Sequence, residues 1–286
     1  MEPGPTAVLL LVCPDQPGLV AAVAQVIASH HGNIVHAEQH IDRQSGRFFQ
    51  RVEFELEGLD LERSEIAGAL RPVVERFAMQ QDLRFSDEVP RLALLVSRQP
   101  HCLYDQLARW RMGELRAEVP VVISNHEDHA DGARAFGIDY AYLPVDPDDP
   151  ASQEVALLDA LRAYEIDVVV MARYMRILSP TVIAAFPNRV INIHHSFLPA
   201  FTGARPYHQA HERGVKLIGA TAHYATDVLD EGPIIDQDVA RVSHRDAVDD
   251  LVRKGRDLEK TVLGRAVHRH LEHRVIVYGN KTVVFD

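Results

Sequence analysis

Asn192 and His194 stand two residues apart in the run Ile191-Asn192-Ile193-His194-His195-Ser196-Phe197-Leu198-Pro199. The run reads as a buried strand ending at a histidine pair and a proline-containing loop. In open α/β sheets, ligands sit beyond the carboxyl ends of such strands. Residues two apart on a strand project from the same face, so an amide and an imidazole stand together. That pair suits a carbonyl becoming a tetrahedral oxyanion: the amide donates to the oxygen while the imidazole assists and moves protons. Farther on, Gly219-Ala220-Thr221-Ala222-His223-Tyr224 leads into the acidic loop 225–233, where Asp230 is the candidate carboxylate to polarise water and tune the imidazole. An Asn-x-His pair alone is more often structural, so the weight rests on what accompanies it. His195 reads as a residue that shapes the pocket rather than one that performs chemistry.

The elements that must position these groups fall into two patterns. From Thr6 to Phe85 the order is strand, helix, strand, strand, helix, strand. Thr6–Cys13 is an apolar run, and Asp15-Gln16-Pro17-Gly18 opens a helix carrying Leu19, Ala22, Val23, Val26 and Ile27 at helical spacing. Gly32-Asn33 stops that helix, strands follow at Ile34–Ile41 and Phe48–Leu56, and a second helix is expected over Leu61–Gln81. This βαββαβ order predicts a ferredoxin-like antiparallel sheet with helices on one face. Residues 86–90 form a polar linker with a proline. Strands and helices then alternate through 91–286, predicting a doubly wound, Rossmann-like sheet. Strands are expected at Leu92–Ser97, Val119–Ser124, Ile166–Ala172 and Arg189–His194, and late strands at Val215–Tyr224 and Ile234–Val242. A long helix is expected over Ala247–His273, and a closing hairpin over Val275–Phe285 turning at Gly279-Asn280.

Composition narrows the function classes. The 286 residues carry a formal net charge of −11, which disfavours a phosphate backbone as partner, and no Lys/Arg run reverses this. The two cysteines, Cys13 and Cys102, form no disulfide framework and fit a reducing compartment. No apolar run reaches the ~20 residues that span a bilayer, and Met1–Thr6 has no basic leader. No membrane partner is therefore expected, and the expected location is the cytoplasm. His208 with His211, and His268, His270 and His273, invite a metal reading. Exposed helix faces and helix C-terminal dipoles explain them better, no Cys-rich or His-Glu-x-x-His pattern exists, and the expectation is no metal.

Residues 91–242 resemble the folate-dependent formyltransferase family. That family uses an Asn, a His two residues later and an Asp 38 residues after the Asn, the spacing of Asn192, His194 and Asp230. Met175-Arg176-Ile177-Leu178-Ser179-Pro180 is similar to its stretch along the pterin pocket. Family members that transfer to glycinamide ribonucleotide carry a Gly-Ser-Asn phosphate loop after the first strand. Here Ser97-Arg98-Gln99-Pro100-His101-Cys102 has no glycine and loses an N–H at proline, a poor phosphate cradle. Water is then the natural nucleophile. The His194-His195 pair, the run 202–207, the small N-terminal domain and the closing hairpin look like the formyltetrahydrofolate deformylase branch. The resemblance implies hydrolysis of 10-formyltetrahydrofolate to formate and tetrahydrofolate, balancing one-carbon folate pools and supplying formate for purine synthesis, with no cofactor. It places Asn192, His194 and Asp230 in catalysis, and Met175, Arg176, Ile177, Leu178, His195, Gly203 and Asp227 against the substrate. The alternatives are transfer to an amine acceptor, or a non-catalytic amino-acid sensor. Residues 1–85 resemble an ACT domain, which implies a small amino-acid effector such as glycine or methionine. Asp15, Gly18 and Asn33 would be its contacts. Its uncovered sheet face and edges imply a homo-oligomer.

Overall fold

The computed structural model describes residues 4–146, 148–199 and 206–286. The chain forms two compact units, one of residues 1–89, 272–276 and 283–286, the other of 90–271 and 277–282.

The first unit contains β1 (Thr6–Pro14), α1 (Leu19–Ser29), β2 (Ile34–Asp42), β3 (Arg47–Glu55), α2 (Arg63–Arg76) and β4 (Gln80–Phe85). Its strands run in the order β2-β3-β1-β4, with antiparallel neighbours throughout. Ala7, Leu9, Leu11 and Cys13 alternate along β1 and pack with Leu19, Val23 and Ile27 of α1 and Ile66 and Leu70 of α2. The two periods, 2 and 3.6, meet in one core. The second helix is shorter than the sequence predicts: Phe77 caps α2, Ala78 takes φ +50°, and β4 begins at Gln80. Neither Gly nor Pro marks that stop. The opposite sheet face is not bare. Arg51 on β3 is buried, and its guanidinium donates to Glu53 and to the backbone carbonyls of Glu272 and His273. A buried guanidinium demands such acceptors, which is why residues near 272–273 group with the N-terminal strands, whereas the sequence assigns all of 91–286 to the other domain.

The second unit is built on β5 (Arg91–Val96), α3 (His101–Arg111), β6 (Glu118–Ser124), α4 (Ala130–Ala135), β7 (Asp139–Tyr142), α5 (Pro150–Ala163), β8 (Val168–Met171), α6 (Pro180–Ala185), β9 (Val190–His194), α7 (Pro206–Arg213), β10 (Leu217–Tyr224), β11 (Ile234–Arg241) and α8 (Val248–Leu271). The hairpin strands β12 (Val275–Tyr278) and β13 (Lys281–Val284) close the chain. The seven-stranded sheet has the order β11-β10-β9-β8-β5-β6-β7. Strands β5 to β9 pair in parallel, while β10 pairs antiparallel with both β9 and β11, and β11 forms the edge. The chain runs from β5 outward to β7, then returns to lay β8 on the other side of β5. That reversal is a topological switch point, where open α/β sheets bind ligands. The short, half-polar β7 was not anticipated from the sequence. Among the described residues no helix is long and apolar enough to cross a membrane.

Candidate active site

Backbone pairing at the switch point fixes the side chains. Ser97, just past β5, donates its N–H to the carbonyl of Arg173, just past β8, and its Oγ accepts from the N–H of Met175. Ser97 Oγ itself donates to Asn125 Oδ1 at 2.7 Å. The hydroxyl therefore ties two strand ends together. Antiparallel register places Thr221 of β10 opposite His194, and His223 opposite Asn192. Thr221 Oγ1 donates to the carbonyl of Ser196 and accepts from the N–H of Leu198, fixing the chain as it leaves β9.

The loop from β10 to β11 brings Asp230 back over β9. Asp230 takes φ +58°, a left-handed conformation that Asp tolerates better than most residues. A Cβ on Gly232 would sit 1.8 Å from the carbonyl oxygen of Tyr224, so only glycine lets the loop close here. Asp230 Oδ1 then lies 3.1 Å from His194 Nδ1 and 3.8 Å from His223 Nε2. A hydrogen bond from His194 holds the Asp230 carboxyl below the usual carboxylate range, against the opposing pull of partial burial. The carboxylate assigns the proton of neutral His194 to Nδ1. Its Nε2 is buried without a hydrogen-bond partner among the described residues. His223 donates from Nδ1 to the carbonyl of Tyr224, so Nε2 accepts from the Asn192 amide at 3.2 Å. That bond fixes the amide orientation and spends one N–H of the amide, leaving the other out of it. Burial pushes the His223 pKa down and keeps the ring neutral. His223 belongs to the site, and its place two residues after Thr221 on one strand face was the available signal.

These groups open on a cavity of about 590 Å³, of the size that holds a small organic ligand. Met175, Arg176, Ile177, Leu178 and His195 line it. Met175, Ile177, Val228 and Leu229 keep apolar side chains exposed at its wall. Asp227 is exposed and does not line the cavity, although its neighbours Thr226 and Val228 do. Gly203 lies outside the described residues.

Residues 90–267 match the formyl transferase family, and residues 7–70 match the ACT domain. The chain is 59% identical over 280 residues to the formyltetrahydrofolate deformylase of Synechocystis sp., covering 98% of each. The chain belongs to the formyltetrahydrofolate deformylase family. The deformylase of Bacillus subtilis is 49% identical over 279 residues, 97% of this chain and 93% of that one. The crystal structure of the deformylase of Pseudomonas syringae pv. tomato matches with a TM-score of 0.97 at 47% identity, covering 100% of this chain and 96% of that one.

In this deformylase chain the sequence Ser97–Cys102 does internal work. Arg256 donates to Gln99 Oε1 at 3.1 Å, and the carbonyl of Arg98 is 3.3 Å from His129 Nε2. His101 lines the cavity and pairs through Nε2 with Glu259 of α8 at 2.7 Å. Among the described residues, His101, Cys102 and Glu259 form the one cluster with metal-ligand geometry, which the sequence did not foreshadow. Its chemistry opposes a metal: Glu259 also accepts from Tyr207 at 2.6 Å and faces Arg173 at 3.4 Å. Burial, more than any other influence, pushes the Cys102 pKa well up, so it stays a thiol rather than a thiolate ligand. The C-terminal histidines have separate partners: His268 Nδ1 lies 3.1 Å from the carbonyl of Glu114, and His270 Nδ1 2.8 Å from the Tyr224 hydroxyl.

In the N-terminal unit, Gly18 caps the start of α1 at φ +93°, with nothing within 4 Å of a would-be Cβ, and Asp15 lies just before it. Asn33 follows the other end of the helix and donates to Glu55 at 2.8 Å. An 11-residue helix spans about 16 Å. One copy of the chain therefore does not bring Asn33 to Asp15 and Gly18.

Proposed function

We propose that this chain hydrolyses 10-formyltetrahydrofolate to formate and tetrahydrofolate through Asn192, His194 and Asp230, with no metal or other cofactor. The observation that carries the reading is His194: one ring nitrogen faces a carboxylate and the other is buried and unpaired at a ligand-sized cavity. Water adds to the formyl carbon while the free N–H of Asn192 donates to the developing oxyanion. His194 Nε2 moves protons, and Asp230 holds the ring and stabilises its charged form. The second oxygen of Asp230 would hold the attacking water. Collapse of the tetrahedral adduct breaks the bond to the folate nitrogen, which takes up a proton, and formate leaves. The exposed apolar side chains Met175, Ile177, Val228 and Leu229 suit the flat pterin. The product formate would serve purine synthesis, and a cytoplasmic location fits that role. Transfer to a phosphorylated amine acceptor is disfavoured by the loop 97–102, which has no glycine, lacks an N–H at Pro100, and commits Ser97 Oγ, the Arg98 carbonyl and Gln99 Oε1 to contacts within the fold.

The ACT unit takes a small amino acid, glycine or methionine, at Asp15, Gly18 and Asn33. Their separation along α1 means that a site using all three would be completed by a second copy, which supports a homo-oligomer. Formate release from 10-formyltetrahydrofolate, with and without candidate amines, tests the main reading. Formate output that depends on an added amine would overturn it.

A further inference from the structure

Behind His194 lies a buried polar chain that the hydrolytic steps above do not use. Arg173 Nη1 lies 2.6 Å from Nδ1 of His195, whose ring stacks on His194 with centroids 5.0 Å apart. Arg173 Nε lies 3.4 Å from Glu259 Oε2, and Glu259 is 1% exposed. His101 and Tyr207 hold the same carboxylate at 2.7 and 2.6 Å. A Cβ on Gly255, one turn before Glu259 on α8, would lie 2.0 Å from the Tyr207 hydroxyl, so glycine there admits the tyrosine. The assembly is built. Burying Glu259 alone would be very costly, and two hydrogen-bond partners, His101 and Tyr207, together with the nearby Arg173 cation compensate it.

Its consequence falls on His195. A guanidinium has only donors, so the Nδ1 that faces it must accept. The proton of a neutral ring then resides on Nε2, which has no hydrogen-bond partner among the described residues, on a ring that lines the cavity. We infer that Arg173, anchored by Glu259, is a positioning residue for the hydrolysis, locking His195 as a neutral Nε2–H donor beside His194. His194 presents an unpaired acceptor and His195 a fixed donor, complementary partners for water and a formyl oxygen. The inference rests on the reading of the triad as the hydrolytic machinery.

The charges around His195 agree. Burial pushes its pKa down, the cation Arg173 adds to this, and His194 contributes in the same direction. Glu259 and Asp230 pull the other way, Tyr207 packs at 6.3 Å, and the net result is about 4. His195 therefore stays neutral through the working pH range. Removing the Arg173 cation leaves Glu259 to favour the charged ring, and the pKa must rise.

The test uses the full-length enzyme labelled with 15N-histidine, His195 being assigned by the signal lost in His195→Gln. The expected wild-type spectrum is the Nε2–H form, unchanged from pH 8 to about 5. In Arg173→Met the His195 pKa should rise by at least about one unit. Turnover should fall on the order of 10-fold with little change in KM, and kcat should gain an acid limb at the same pH. Arg173→Lys, which keeps the charge, should restore part of both. Glu259→Gln removes an anion that favours the charged ring, so the His195 pKa should not rise, while turnover should fall because Arg173 loses its anchor. The shape of a pH profile does not depend on how much enzyme is folded, so partial destabilisation leaves the test intact. An Nδ1–H form in the wild type would overturn the inference. So would unmoved titration and an unmoved acid limb in Arg173→Met while Asp230→Asn is inactive. Near-normal turnover in Asp230→Asn would instead overturn the triad reading beneath it.

Discussion

Replacing Asp230 by Asn keeps the shape and one oxygen acceptor but removes the charge that faces His194. The carboxylate is 13% exposed and 3.1 Å from Nδ1, so its effect is only partly screened. Opposite charges about 4 Å apart attract by about 4 kcal/mol at an effective dielectric of about 20. A hydrogen bond to a charged partner contributes about 1.5–3 kcal/mol. The two figures describe one interaction, and a loss of about 3 kcal/mol as His194 becomes positive is the fair reckoning. At about 1.4 kcal/mol per tenfold, kcat should fall between about 10²- and 10³-fold. Affinity for tetrahydrofolate, measured by calorimetry, should change little, because the apolar wall at Met175 and Ile177, proposed to hold the ring, is untouched. Formate release at saturating substrate is the assay, and a loss under about 5-fold would refute the reasoning. The pH dependence follows with a definite sign. The folded Asp230 pKa is depressed below its ordinary 3.8. Its stabilising anion is fully present above that ordinary value and is lost only as pH falls through the lower folded value. An acid limb in kcat above about pH 5 therefore reports another group.

Gly232→Ala should reproduce much of the Asp230→Asn defect without touching the triad, because a methyl 1.8 Å from the Tyr224 carbonyl forces the loop away from His194. Turnover should drop on the order of 10²-fold while melting temperature falls a few degrees, as for an overpacking cost of about 1–3 kcal/mol; full activity would show that the loop closure is dispensable. Exhaustive chelation should leave formate release unchanged, since Glu259 is already paired with His101, Tyr207 and Arg173, and a loss restored by added metal would contradict this. Gly18→Val should abolish any response of turnover to glycine or methionine while sparing basal hydrolysis, because φ +93° is closed to a β-branched residue. If neither amino acid binds the wild type by calorimetry or changes its turnover, the effector assignment fails.

How legible the site was depended on how local its signals are. Asn192 and His194 were visible because a strand's two-residue period puts neighbours on one face, and Asp230 because its distance along the chain matched a known spacing. The long-range partners left no such trace. Glu259 sits within a run of polar residues on α8 and reads as part of a solvated face. It is buried because Gly255 admits Tyr207 from another helix and because Arg173, from a loop two strands away, faces it. The two glycines within α8, Gly255 and Gly264, were the hint: each makes room for a side chain from another element, Tyr207 and Arg109 respectively. Isolated glycine inside a helix costs stability and needs such a reason. The end of α2 was misjudged for the opposite cause. Apolar residues continue past Arg76 through Phe77 and Met79 into β4, and their burial hides the change from helix to strand.

Two features of the site are unfavourable by themselves. His194 Nε2 is buried without a partner, a penalty of about 1–3 kcal/mol. Met175, Ile177, Val228 and Leu229 hold apolar surface open to water, which a folded chain tolerates sparingly. The sequence could have repaired either one with a serine near the ring or with shorter, polar side chains at the wall. Folded chains keep such local violations where function demands them. On the proposed reading one ligand would resolve both: a flat aromatic body over the apolar wall, and a formyl group with its attacking water at the unpaired nitrogen. A substrate with only the ring, or only the formyl group, would satisfy half of the site. Binding energy from the ring is therefore available to hold the formyl carbon against His194, and a small formamide lacking the pterin should be turned over poorly because it lacks that hold, not only because it binds weakly.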